Sequence, residues 1–271
     1  MRDSFLYVRL ESIQKRFQEV ELLLNLAAVN EEEDSLYPTL CRSALVLLVA
    51  HFEGMIKDIT KDVLADLNRN VEFKNLANKI QRTHSEFFMQ RNENGSFDER
   101  IIKKLIEHFC EVKAQLKVEP FFFDNNKNPA PSILESILKK FGAINFFANL
   151  SGSDLDSIFE DSGSNTAKVL EDLKKYFSEN VKTFPYSTEI SIYNPNLTQT
   201  KNTLPRTLWE EFVDNLMRDR HSIVHGSILE NPQSHKSITE CRVKVEILLY
   251  AYAINLCTSV SKPYRDNSGA D

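Results

Sequence analysis

The chain has 271 residues, a hydrophobic fraction of 42% and only 7 glycines and 9 prolines, a composition that favours a helical globular protein with a sizeable core. Its formal net charge of −6 argues against a generally basic surface that coats nucleic acid, although it allows a local basic cleft. Charged residues interrupt the longest apolar stretch, and the N-terminus has no apolar block before a small-residue cleavage site, so we expect a cytoplasmic protein without a membrane span.

Apolar residues at three- and four-residue steps predict two long helices in the first quarter of the chain. The first covers about residues 5–29, and an acidic run at residues 31–34 separates it from the second. The second covers about residues 39–68. Its segment 44–50 is apolar on every side, which predicts complete burial.

The middle of the chain has a less regular pattern, typical of shorter helices joined by turns. The segment 121–123 predicts a strand or extended piece that leads into a loop, and alternation over residues 188–193 predicts a short strand. The predicted helices of this part cover about residues 73–88, 98–116, 132–150 and 164–177.

The last part of the chain predicts a second helical hairpin. Thr207 followed by Glu210 has the spacing of a capping box that opens a helix. Gly226 supplies the residue that most readily takes the left-handed conformation with which helices end. A final helix covers about residues 237–260, and residues 261–271 are predicted to form a flexible tail.

These elements predict an all-α helical bundle with at most a minor strand element. We expect one domain over residues 1–260, in which the two terminal hairpins pack together. The predicted core hairpins cover about residues 5–69 and 207–260, and a long, mainly helical insertion covers about residues 71–205.

The segment 220–226, Arg-His-Ser-Ile-Val-His-Gly, places a fixed cation and two imidazoles where a helix should end. Arg220 lies four residues after Leu216, on the apolar stripe, and a guanidinium among apolar side chains is costly unless an anion meets it. His221 and His225 are four residues apart and share a helix face, in a last turn whose free carbonyls favour an imidazolium.

These three side chains suit metal-free cleavage of RNA. A histidine can transfer protons near neutral pH, so either His221 or His225 could serve this role. Arg220 offers a planar fork for phosphate oxygens and would neutralise the charge that develops on them. The attacking group is the ribose 2′-hydroxyl, so DNA should not be cut.

The same segment resembles the signature of the HEPN superfamily, an arginine, a polar residue, a short spacer and a histidine. The resemblance implies a HEPN-like helical bundle in which the motif helix faces its twin across a homodimer. It also implies a metal-independent endoribonuclease without a cofactor, found in toxin–antitoxin, abortive-infection and other prokaryotic defence systems. Arg220 and His225 match the essential pair, and His221 matches the polar position. The implied partners are a single-stranded RNA or tRNA loop as substrate, and an antitoxin or defence-system protein.

Residues 50–54, Ala-His-Phe-Glu-Gly, are similar to a step found in the larger HEPN families related to the RiboL-PSP group. The similarity makes Glu53 a candidate supporting acid, although Glu53 can equally form a structural pair with Lys57 along its own helix. One position departs from the pattern. HEPN toxins silenced by a nucleotidyltransferase antitoxin usually carry a tyrosine two residues after the histidine, whereas this chain has Ser227, which argues against that mode of regulation.

Several alternatives remain open from the sequence. Arg206 and Arg218 flank the motif and are candidate contacts for an RNA backbone, but acidic residues lie among them. His221 and His225 could instead bind zinc with His235, although no H-E-x-x-H pattern or cysteine pair supports this. The alternative function is a non-catalytic RNA- or protein-binding module of the same ancestry.

Overall fold

The structure, a computed structural model, describes residues 2–122, 128–160, 164–195, 206–226 and 233–265. Of these described residues 74% are helical and none is in a strand, which confirms the predicted all-α fold. The helices are α1 (Phe5–Val29), α2 (Leu36–Asn70), α3 (Asn78–Glu86), α4 (Glu99–Glu111), α5 (Pro131–Lys140), α6 (Phe146–Leu150), α7 (Ser164–Asn180), α8 (Leu208–Val224) and α9 (His235–Arg265).

Helices α1 and α2 form a long antiparallel pair, which α9 packs against on both members. Two side chains, those of Ser4 and Asp66, form hydrogen bonds with the N-terminus of α1. Ser4 caps it by accepting a hydrogen bond from the backbone N–H of Tyr7 (2.9 Å). Asp66, buried near the end of α2, accepts from the backbone N–H of Phe5 (3.0 Å) and from the Tyr186 hydroxyl (2.8 Å). A carboxylate at a helix N-terminus is stabilised by the helix dipole, so this contact fixes the register of the pair.

The most completely buried helix is α9, not α2. Every residue from 245 to 257 is buried, and this stretch contacts α1, α2 and α7. The prediction that segment 44–50 is buried on every side is wrong, because Val46 and Leu47 are half-buried and Ala50 is exposed. An apolar face of α2 is therefore left beside solvent.

Two helices, α2 and the stretch His235–Tyr264 of α9, are long and apolar enough to cross a membrane by length and composition alone. The charged residues that interrupt α2 therefore do not by themselves exclude a span, contrary to the argument from sequence. In α9, 78% of the most apolar window is buried inside the bundle, as in the core helix of a globular protein, which passes the same test. In α2 the buried share is 44%, in keeping with its open apolar face.

The insertion differs from its predicted form in three places. The expected helix over 132–150 is divided into α5 and α6 by a turn in which Asn145 has a φ of 59°. The expected helix over 73–88 is a 3₁₀ turn followed by α3. The strand predicted over 188–193 is wrong, because this segment lies on α9 through a hydrogen bond from the Thr258 hydroxyl to the Thr188 carbonyl (2.9 Å) and forms a 3₁₀ turn.

The segment expected to be extended begins with a 3₁₀ turn that ends at Phe121, and residues 123–127 lie outside the described part of the chain. Apolar residues of the insertion, among them Phe147 and Phe177, belong to the same buried cluster as the helices of the terminal hairpins. Helices α5 and α6 contact α8, and α7 contacts α9. The insertion thus supports the helix that carries the motif.

Candidate active site

Helix α8 begins and ends as the sequence predicts. The capping box is complete, because the backbone N–H of Glu210 donates to the Thr207 hydroxyl (3.2 Å) and that of Thr207 donates to the Glu210 carboxylate (2.8 Å). At the other end the backbone N–H of His225 bonds the His221 carbonyl (3.0 Å), and Gly226 has a φ of +66°. The left-handed glycine ends the helix, and His221, Val224 and His225 at this end are exposed.

Arg220 lies at the edge of the packed face of α8. Leu216 is 3% exposed, but Arg220 and Ile223 are half-buried, so the arginine borders the apolar stripe and is not enclosed by it. Its Nη1 donates a long hydrogen bond of 3.4 Å to the Asn128 side-chain oxygen, and it has no ion pair within the described residues. A neutral amide at this distance is a weak partner for a guanidinium, so a phosphate would be the stronger one.

The two motif histidines are exposed and lie against each other. Their ring centroids are 4.1 Å apart and the ring planes are inclined by 45°. They occupy the last turn of α8 and its cap. Arg220 is offset from His221 by about 100° around the helix. The guanidinium therefore lies between the packed face of α8 and the face that carries the two histidines.

An apolar groove runs past the motif. It has a volume of about 500 Å³ and is lined by side chains of α1, α2 and the end of α8, among them Leu23, Leu47, Ala50 and Ile223. Val224, which precedes the cap residue, is 49% exposed. The end of α8 therefore presents one arginine and two histidines next to an open apolar surface.

The sequence model of the RiboL-PSP-HEPN family matches residues 11–258, which is most of the chain and includes both terminal hairpins. The chain belongs to the RiboL-PSP-HEPN family. HEPN domains are often ribonucleases, so this membership suggests a ribonuclease or nucleotide-related function. Neither the curated proteins nor the solved structures contain a match to the chain.

Glu53 of this HEPN chain forms an ion pair within its own helix. Its carboxylate pairs with Lys57 Nζ at 2.7 Å, one turn along α2, and within the described residues no hydrogen bond or ion pair joins it to Arg220 or His225. The structure therefore supports the structural interpretation of Glu53.

In segment 50–54, His51 and Gly54 take part in the packing of α1 against α2. His51 Nε2 lies 2.9 Å from a carboxylate oxygen of Glu19 on α1. A Cβ at Gly54 would lie 3.1 Å from the Arg16 guanidinium, which reaches Asp58 at 2.7 Å. Glycine thus leaves room for an α1 side chain that crosses α2.

The two flanking arginines differ in position. Arg218 is exposed and lies three residues before His221, so it shares the histidine face of α8. Arg206 precedes α8, about 20 Å from Arg220 along the helix axis, and forms an ion pair with Asp214. The structure places Arg206 at the other end of α8 from the motif, and a contact between Arg206 and an RNA backbone stays a prediction.

Two residues that sequence reasoning did not single out hold the surroundings in place. Asn128 reaches Arg220 across 92 positions of sequence, and no local pattern signals such a contact. Asp219, whose carboxylate accepts a hydrogen bond from the Gln233 side chain, ties α8 to the segment that precedes α9. Burial raises the pKa of the Asp219 carboxyl, and neighbouring Arg218 opposes that rise.

The zinc alternative gains no support. Within the described residues no group of three His, Cys, Asp or Glu side chains is arranged to hold a metal ion. His235 is engaged elsewhere, since the Tyr37 hydroxyl accepts from its backbone N–H (3.1 Å) and lies 3.3 Å from its Nδ1. Ser227, the position that departs from the tyrosine pattern, lies outside the described residues.

Proposed function

We propose that this chain is a metal-independent endoribonuclease in which Arg220 binds the scissile phosphate and His225 transfers a proton. The observation that carries the proposal is a half-buried arginine without a carboxylate partner in the described residues, one residue from a pair of exposed, contacting imidazoles. An always-charged fork next to imidazoles, which can both donate and accept a proton, suits acid–base chemistry on a phosphodiester.

In the proposed reaction a histidine removes the proton of the ribose 2′-hydroxyl, and the 2′-oxygen attacks the adjacent phosphorus. The bond from phosphorus to the 5′-oxygen breaks, and a protonated group returns a proton to that oxygen. The products are a 2′,3′-cyclic phosphate and a 5′-hydroxyl. Arg220 stabilises the negative charge that builds up on the non-bridging oxygens.

A homodimer would complete this site. The attacking and leaving oxygens stand roughly in line on opposite sides of phosphorus, whereas the His221 and His225 rings are 4.1 Å apart and serve one side. Two-fold symmetry would supply a second set of groups. The apolar groove beside Ile223 supports a second copy of this chain as its occupant, because a two-fold contact there would bring both motifs to one cleft.

The test is cleavage of single-stranded RNA or tRNA by the purified full chain in EDTA, with the fragment ends mapped. Fragments with cyclic-phosphate and 5′-hydroxyl ends are expected. A 2′-deoxy substitution at the mapped position should abolish cleavage there, because it removes the nucleophile. Tight RNA binding without fragments would favour a non-catalytic module, and metal-dependent cleavage with other ends would contradict the mechanism.

We further propose that the nuclease acts in the cytoplasm within a toxin–antitoxin or anti-phage defence system. The support for this role is its resemblance to HEPN toxins. Overexpression should arrest growth, and His225→Ala should relieve the arrest at equal protein level. Equal toxicity of the variant would contradict the proposed role.

A further inference from the structure

A second cavity lies in the insertion, away from the groove beside the motif. Its volume is about 280 Å³, close to the lower end of small-ligand sites, and α3 and α5 form much of its lining. The lining combines basic and aromatic side chains, namely Lys79, Phe87, Arg91, Phe97, Lys139 and Lys140.

The cavity is positively charged in a protein of net charge −6. Among the described residues, four cations and one carboxylate line it. The carboxylate, that of Glu86, lies 2.6 Å from Arg82, and Lys140 is engaged with the Phe122 carbonyl at 2.6 Å. The side-chain ammonium groups of Lys79 and Lys139 have no ion pair or hydrogen bond within the described part of the chain. Uncompensated cations that converge on one concave surface attract an anion, and phosphate is the commonest biological one.

The aromatic part of the cavity is exposed. Phe87 is 50% exposed, and the neighbouring Phe88, whose ring centroid is 5.3 Å away, is 43% exposed. Phe97 also lines the cavity, with the Arg91 guanidinium 5.1 Å from its ring centroid. Solvated phenyl rings next to cations are the combination with which proteins stack bases and hold the attached phosphates of single-stranded nucleic acid.

Helix α5 connects this cavity with the motif. Asn128, three residues before α5, accepts the hydrogen bond from Arg220, while Lys139 and Lys140 at the far end of α5 line the cavity. A helix of ten residues is about 15 Å long, a separation that a few nucleotides of extended RNA can span. A strand cut at the motif would therefore pass within reach of the cavity.

Resting on the proposed ribonuclease function, we infer that the insertion cavity binds a nucleotide of the same single-stranded RNA that the motif cleaves. The base stacks on Phe87, and Lys79 and Lys139 contact its phosphate. The cavity is then a substrate anchor that places the strand across α5. Free mononucleotide has the same chemistry and is the other source that the experiment has to distinguish.

The experiment measures binding of a fluorescent single-stranded RNA of about 16 nucleotides by anisotropy, in the full-length His225→Ala chain so that cleavage does not interfere. Phe87→Ala should weaken binding about tenfold. The double substitution Lys79→Ala with Lys139→Ala should lower the slope of log affinity against log salt by about 0.7, the value for one lost phosphate contact on a single strand. Lys168→Ala on α7 and Ile101→Ala on α4, both exposed, are matched controls that should leave affinity and slope unchanged.

Each outcome decides one question. Unchanged RNA affinity and salt slope in the cavity variants, or equal losses in the controls, would overturn the anchor. Micromolar binding of AMP that the cavity variants lose, together with no effect of these variants on RNA binding, would mark a free-nucleotide site and also overturn it. If the unmodified chain cuts RNA while the cavity variants bind RNA normally, the proposal of a substrate anchor fails and the proposed ribonuclease function stands. If the chain cuts no RNA but the cavity variants lose binding, the nuclease fails and the RNA contact stands. Thermal unfolding of each variant verifies that the fold is intact.

Discussion

His221 and His225 lie with ring centroids 4.1 Å apart at the exposed end of α8. The contact joins the last helical turn to the cap residue, so it depends on the helix ending at Val224. A ring at position 221 limits the rotamers that the His225 ring can adopt. His221 is therefore placed to orient its neighbour, whatever contact it also makes with RNA.

Replacing His221 by alanine should slow RNA cleavage by about tenfold and leave the ends of the products unchanged. The loss is smaller than that of a general acid or base, which contributes about a hundredfold or more, because His225 remains. Single-turnover rates on one labelled RNA measure the effect. A His221→Phe variant keeps a ring against His225 and should recover part of the rate. Recovery no better than that of alanine would argue against the orienting role.

Glu53→Gln should leave RNA cleavage unchanged. The substitution breaks the ion pair with Lys57, a partly exposed pair one turn apart, and should cost a few tenths of a kcal/mol of unfolding free energy. Parallel measurement of cleavage rate and urea midpoint separates the two effects. A fall in rate of tenfold or more without a loss of stability would place Glu53 in the catalytic site after all.

Ala50→Glu should convert the proposed dimer to monomer and reduce cleavage in proportion. Ala50 is exposed and lines the apolar groove, so a buried carboxylate in a two-fold contact would be unpaired and its twin would lie close to it. Light scattering after size exclusion reports the mass. Ala167→Glu, an equivalent exposed helical alanine on α7, is the control that should change neither quantity. A dimer that survives Ala50→Glu would place the interface elsewhere.

Stability should fall between about pH 6.5 and pH 4 because of His84. This side chain is 2% exposed, and burial together with the nearby Lys117 lowers its pKa from 6.5 to about 4. The unfolded chain binds a proton at His84 below about pH 6.5, whereas the folded chain binds it only near pH 4. The native state therefore loses up to about 3 kcal/mol across that window.

The matched variant for this prediction is His84→Gln, which keeps an acceptor for the backbone N–H of Lys117, now 3.3 Å from His84 Nδ1. Urea unfolding at several pH values should show a shallower loss of stability for the variant between pH 6.5 and pH 4. Identical pH profiles for the two proteins would show that His84 does not titrate with the expected shift.

The ends of α8 could be predicted from sequence because they depend on local chemistry. Thr207 with Glu210 opens the helix and Gly226 ends it, each through contacts within a few residues. The motif can also be recognised from sequence, because its residues lie within one short segment.

The features that could not be predicted from the sequence depend on packing between residues that are far apart in the chain. The apolar run at 44–50 of α2 predicted full burial. Other parts of the chain determine which helix faces are covered, and here one face of α2 remains open as the groove. The ion pairs of Glu53 with Lys57 and of Arg206 with Asp214 are visible only in the structure, and the roles of Glu53 and Arg206 toward RNA stay predictions. The Asn128 contact with Arg220 has no local signature, so only the fold could reveal it.

The most direct test of the central claim is the single-turnover rate of RNA cleavage in EDTA for His225→Ala and Arg220→Ala beside the unmodified chain. Each variant should be at least about a hundredfold slower, since one loses the proton-transfer group and the other the cation that stabilises the transition state. Helicity and mass should be unchanged, because both side chains lie at the surface end of α8. If both variants cleave the RNA at the rate of the unmodified chain, the site is not at Arg220 and His225.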